Sequence, residues 1–297
     1  MRAWPSLLLI ASLLPVGPGC AARRAARQGS GLARDLDAAD ALFELRGRPG
    51  GDSAAIQALL DIDGQHPDNP RVLWRLSRAY TLQGYRAGPP QGKGDLLTGR
   101  EYALQCLSLQ AEFAGVVEGA GGVVTPDAVE RLVEDDLGCL VWATLSWGRW
   151  LHWQGPAGAA IDLEVVEAMG AHTQLLAGDD FARGGAAAGL AYSARPRLLG
   201  GTPDRARAAF EAAIALEPGR LTPQVDLALL VLRPAGESEA ASARLRAAAE
   251  APLDEGDPDA AEDQRARERA RIALGMPPLE PAPADGATSD EPIEASD

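Results

Sequence analysis

Four tryptophans crowd one short stretch, residues 140–155 (LVWATLSWGRWLHWQG), with an arginine among them. Helical spacing puts Trp147 and Trp150 on one face, Trp153 at its edge and Trp142 further round. Two readings follow. Either the rings pack a helical core, or one or two of them line a cavity for an apolar or anionic ligand, where aromatic groups give large rigid contact area. Arg149 could meet a carboxylate through both arms of its guanidinium, or it is a solvated charge on the helix face. Further on, Arg195 and Arg197 flank Pro196. Two cations on a lengthened loop suit an acidic ligand or partner surface, and otherwise are simply solvated. With Tyr192 just ahead of that loop, the candidate binding residues are Trp147, Arg149, Trp150, Tyr192, Arg195 and Arg197. All of this is binding chemistry.

Reaction chemistry has little to stand on. No HExxH, P-loop, GxGxxG or GxSxG pattern occurs, so no catalytic residue, metal or cofactor is expected, and the chain is not read as an enzyme. A glycan-cleaving site made of scattered acids would need two carboxylates facing each other roughly 5–10 Å apart. The run Glu134-Asp135-Asp136 reads as solvated, and His66, His152 and His172 as surface or packing residues. Cys106 and Cys139 form no CxxC pair. In an oxidising compartment they could bond to each other, and as free buried thiols they would be equally ordinary.

The 297 residues carry 28 basic and 42 acidic groups, a formal charge of -14. So acidic a body is a poor match for a phosphate backbone, which excludes nucleic acid as a partner. The charge is graded along the chain. Residues 1–34 hold five arginines and no acid, and residues 275–297 hold six acids and no base.

The front end reads as an address. Arg2, the apolar run Leu7–Leu14, and the small and turn-forming residues Pro15–Gly19 make the three zones of a secretory signal. An eight-residue run reaches only about 12 Å as a helix, too short to cross a bilayer. Cys20 directly after it resembles a bacterial lipoprotein processing site, with Gly19 in place and Gly17 and Pro18 departing from the pattern. That resemblance implies lipidation of Cys20, and Ala21 after it favours the outer membrane, with the body facing the periplasm. The predicted organisation is a signal peptide over 1–19, a flexible tether over 20–34, a helical repeat domain over 35–274 and a disordered acidic tail over 275–297.

The elements that must position the candidate residues are helices. Between Asp35 and Leu274 apolar periodicity alternates with Gly and Pro breaks, and no convincing period-2 strand occurs. Thr125-Pro126, Thr202-Pro203 and Thr222-Pro223 each predict a hydroxyl cap with proline in the first turn. Small and large apolar residues also recur at the spacing of a 34-residue tetratricopeptide repeat. Ala55, Leu59, Ile62 and Pro67 suit a second helix; Leu73, Leu76, Ser77 and Tyr80 a following first helix; Ala188, Gly189 and Tyr192 another. Ala206, Phe210, Ala213 and Pro218 then complete a second helix. Loops are expected at Arg86–Thr98 and Arg195–Gly201. The predicted fold is all-α, with tetratricopeptide-like helical hairpins stacked in a curved solenoid, because one hairpin cannot bury its own apolar face.

The stretch 191–219 (AYSARPRLLGGTPDRARAAFEAAIALEPG) resembles the T component of tripartite ATP-independent periplasmic (TRAP) transporters. It has a similar tyrosine, arginine-proline and leucine-glycine-glycine-x-proline loop, followed by a helix of the same type. The resemblance implies a non-catalytic periplasmic lipoprotein, often oligomeric. Its partner would be the transporter's solute-binding subunit, with a small organic ligand at hand and the membrane met only through the lipid. The competing reading is a helical-repeat envelope lipoprotein that acts as a protein–protein adaptor.

Overall fold

The computed structural model describes residues 18–155, 162–178, 181–254 and 256–277, with side chains from Gly31 onward. The expected signal segment up to Gly17, the Cys20 side chain and the tail from residue 278 lie outside them. Among the described residues every regular element is helical. The chain divides into two compact units, at Pro67 and Asp68.

The first unit is a helical pair, α1 (Pro18–Phe43) and α2 (Gly51–Gln65). Leu36, Ala39 and Phe43 are buried on α1, and Ala55, Ile56, Leu59 and Ile62 on α2. The tether expected over 20–34 is helical backbone within α1, in keeping with its alanine and arginine content. A side chain at Gly51 would strike the Leu45 carbonyl oxygen at 2.2 Å, so the turn admits only glycine there.

The second unit begins with α3 (Pro70–Ala87), α4 (Lys93–Leu107), α5 (Ala111–Gly119), α6 (Pro126–Val129) and α7 (Leu137–Gln154). It continues with α8 (Leu163–Ala177), α9 (Ala182–Ser193), α10 (Pro203–Leu216) and α11 (Leu221–Asp226). After α11 the chain winds as a π-helix over Leu227–Leu232, then forms α12 (Ser238–Glu250) and α13 (Ala260–Ala273). Helices pack in chain order, with α5 and α6 passed over: α3 on α4, α4 on α7, α7 on α8, α8 on α9, α9 on α10. The repeat positions explain why. Leu73, Leu76, Ser77, Ala188, Tyr192, Ala206, Phe210 and Ala213 are all buried. Gly189 lets the Phe210 ring in so closely that an added Cβ would lie 2.7 Å from it. Cys106 of α4 and Cys139 of α7 are bonded, with Cα atoms 5.9 Å apart, which resolves the open choice between a bridge and two thiols.

Local signals met two departures. The loop expected over Arg86–Thr98 is largely helix, since α4 starts at Lys93. Of the threonine caps, only Thr125 behaves as expected, its hydroxyl accepting from the Ala128 N–H at 3.3 Å. Thr202 makes no cap hydrogen bond, although Pro203 does open α10. Thr222 lies inside α11, and the leading N–H there, that of Leu221, is instead capped from afar by the Asp263 carboxylate at 2.8 Å.

Candidate functional site

Helix α7 delivers three of the six predicted residues, and the structure sends them to different places. Trp147 is core: it is buried, and its indole N–H donates to Asp162 Oδ2 at 2.9 Å. Trp150 is half-buried beside it, and the Arg100 guanidinium spans both rings at 5.0 and 5.7 Å. Neither tryptophan lines either of the two cavities formed among the described residues. Trp142 does, forming a wall of a cavity of about 120 Å³, with the Arg183 guanidinium 5.2 Å above its ring.

Arg149 is not a solvated charge. It is 6% exposed, lines the same cavity and grips the Asp226 carboxylate with both terminal nitrogens, Nη1 donating to Oδ1 at 2.9 Å and Nη2 to Oδ2. The expected bidentate partner therefore exists, and it belongs to the chain itself. Asp226 also receives Arg269 Nη2 from α13 at 2.8 Å, and Arg269 Nη1 donates to the Tyr85 hydroxyl at 3.1 Å. Both guanidinium groups lie over the Tyr85 ring, at 5.0 and 5.5 Å. Burial alone would raise the Asp226 pKa; the two cations outweigh it and hold the carboxyl well below the usual carboxylate range.

The rest of that cavity's charge is also compensated. Arg183 pairs with Asp259 at 3.2 Å, Arg86 with Glu262, and Arg220 reaches Asp257, Asp259 and Asp263 at 2.7, 3.3 and 3.4 Å. Burial works to lower the Arg220 pKa, but the three carboxylates raise it further than burial lowers it. The Asp263 carboxyl moves up, because burial outweighs its bonds to the Leu221 N–H and Arg220.

Tyr192, Arg195 and Arg197 do come together, at a second cavity of about 320 Å³. Tyr192 is buried, with the Arg205 guanidinium 4.2 Å from its ring centre. Arg195 Nε donates to Glu167 Oε1 at 2.7 Å, and its Nη1 to the Leu199 carbonyl at 3.4 Å, which folds the expected loop around a 3₁₀ turn at Arg197–Leu199. Arg197 is exposed. The cavity's inner wall includes His152, whose Nε2–H points to the Leu190 carbonyl at 3.1 Å, with Ser193 Oγ also at 3.1 Å. Burial and the nearby Arg149 push the His152 pKa down to about 4, so the ring is neutral at neutral pH.

Sequence reading missed Tyr85, Asp226, Arg269 and the π-helix. Asp226 had a signal: it is the lone acid in the run LTPQVDLALLVL, and a buried charge needs a partner. Arg269 had none, standing among other arginines in RARERAR. No group of three or more metal-ligating side chains occurs among the described residues, and none of their helices is long and apolar enough to cross a membrane.

Against known proteins, residues 96–276 match the family described as TRAP transporter T-component. Among solved structures, a thermophilic TPR protein of Thermus thermophilus shares the fold. It has a TM-score of 0.51 and 19% identity, covering 82% of this chain and 100% of that one. No protein of curated function matches the sequence.

Proposed function

Because the chain belongs to the T-component family of TRAP transporters, we propose that it is the accessory component of such an uptake system. In this reading it faces the periplasm, holds the transporter's solute-binding subunit and exchanges a small organic ligand with it. A lipid on Cys20 ties it to the membrane, the outer one being favoured. The single observation behind this is the family match over 96–276, which contains the whole of the larger cavity and the Arg195–Gly201 loop at its edge. The role is one of non-catalytic assistance, consistent with stacked helical hairpins and with Tyr192, Arg195 and Arg197 lining one cavity.

The test is a pull-down with the tagged full chain from detergent-solubilised envelopes. Recovery of the solute-binding subunit is the expected result, and its repeated absence would refute the reading. Anchoring has its own check: Cys20→Ser should move the chain from the membrane pellet to the soluble fraction. A native chain that already fractionates as soluble would remove the lipid from the proposal.

A further inference from the structure

The second unit holds two apolar clusters that meet on one helix. Leu73 of α3, Leu107 of α4, Leu151 of α7 and Met169 of α8 belong to the first. Phe210 of α10, Val225 of α11, Leu245 of α12 and Ala270 of α13 belong to the second. Helix α9 serves both, Ala191 joining the first and Ala188, Leu190 and Tyr192 the second. The Cys106–Cys139 bond braces the first cluster by tying α4 to α7.

Helices of the two clusters touch a second time, where α13 packs on α3, and there the contact is polar. Arg86 pairs with Glu262, their side chains 12% and 8% exposed, and Arg269 donates to the Tyr85 hydroxyl at 3.1 Å. Arg265 lies so close to Gly88, which ends α3, that an added Cβ would strike its guanidinium. Among the described residues, no side chain of α3 joins the apolar cluster that holds Ala266 and Ala270. Charged groups regain hydration when they part, so a seam of ion pairs has a small net strength, whereas an apolar joint forfeits all its burial. The joint at α9 is of the second kind. Gly148 of α7 packs on Leu190 there, an added Cβ lying 3.3 Å from it, so the neighbouring Arg149–Asp226 pair sits beside the joint and not at the seam. Between joint and seam lies the cavity of about 120 Å³, lined by Thr81 and Tyr85 of α3 and by Pro223 and Glu262 of α11 and α13. Thr81 leaves its buried hydroxyl without a hydrogen-bond partner among the described residues, a cost that exposure to water would relieve.

We propose that the contact between α3 and α13 is a latch: α10–α13 swing as one body about α9, and the smaller cavity is the closed form of a wider cleft. In the closed state Arg86–Glu262 and Arg269–Tyr85 are made. In the open state both are broken and the four groups stand in water. Salt favours the open state, because ions screen the charges once they have parted. The latch does not depend on the transport role, and a failed pull-down would leave it untouched.

The experiment measures distances by double electron–electron resonance in the full chain carrying Cys20→Ser. The Cys106–Cys139 bond is kept, so that only introduced cysteines take spin labels. One pair, Glu101→Cys with Ile272→Cys, spans the latch, and a control pair, Glu101→Cys with Leu175→Cys, stays on α4 and α8 beside the first cluster. All three positions are exposed. Adding Arg86→Gln should give the spanning pair a second, longer distance, with the open-to-closed ratio raised about tenfold or more. Salt raised from about 0.05 M to about 1 M should shift the chain that keeps Arg86 in the same direction. The control pair should hold one distance throughout. A spanning distance that neither Arg86→Gln nor salt alters would overturn the latch. A control distance that lengthens together with the spanning one would overturn it too, because that is melting and not hinging. Where Arg86→Gln does not fold, the salt series decides by the same two criteria.

Discussion

Replacing Asp226 with asparagine is the most searching perturbation of the interior. The substitution keeps shape and removes the charge that two guanidinium groups share. Arg149 is 6% exposed and gives Asp226 two hydrogen bonds; the Arg269 side chain is 19% exposed and gives it one. Breaking a buried pair by removing one partner costs about 3–5 kcal/mol, because the remaining charge is left buried without compensation. Arg269 keeps the Tyr85 hydroxyl and some access to water, so the lower end, about 3 kcal/mol, is expected for Asp226→Asn. That is a large share of a typical stability of about 5–15 kcal/mol. Arg269→Met should cost less, about 1–2 kcal/mol, since Arg149 retains its bidentate grip. The pH dependence has a definite sign. The folded pKa of Asp226 is depressed, so its contribution is fully present above the unfolded value of about 3.9 and is lost as pH falls below that toward the folded value. Asp226→Asn should flatten that acid limb. Urea denaturation of the oxidised protein at neutral and acidic pH, with unchanged m, measures both effects. A cost under about 1 kcal/mol, or Arg269→Met costing more than Asp226→Asn, would refute the reasoning.

Three further outcomes follow from the packing. Reducing the Cys106–Cys139 bond, whose ends are 33 residues apart, should remove about 3–4 kcal/mol on the chain-entropy account; an unchanged melt in reductant would contradict it. Gly189→Ala drives a methyl to 2.7 Å from the Phe210 ring and should cost about 1–3 kcal/mol, read as a lowered denaturation midpoint. His152 has a folded pKa of about 4 against an ordinary 6.5, so the stability it confers is complete above about pH 6.5 and declines as pH falls toward 4. His152→Gln should erase that slope, and a slope that persists would assign it to another group.

The helices and their buried faces were legible because the signals are local. Ala206, Phe210 and Ala213 recur at intervals that any short window displays, and the structure buries all three. The family resemblance at 191–219 falls within the matched residues 96–276. What sequence could not supply is the meeting of distant groups. Arg149 could be given an acid to hold, but its partner lies 77 residues on. Thr222-Pro223 has every local mark of a cap, yet the N–H of Leu221 is satisfied by Asp263, which long-range packing brings to it. The π-helix is invisible in LALLVL, a run that an ordinary α-helix would accommodate equally well. The larger cavity unites three of the six predicted residues, Tyr192, Arg195 and Arg197, and is lined as well by Leu229, Leu230 and Val231 of that unforeseen winding.

Helix α13 supplies the partners of Arg86, Tyr85, Asp226 and Leu221 through Glu262, Arg269 and Asp263. A chain that ends at residue 250 therefore lacks the contacts that α13 gives these four groups, although Asp226 keeps its bonds from Arg149. A chain cut short before Ala260 should stay loose and vulnerable to proteases even with every earlier helix in place.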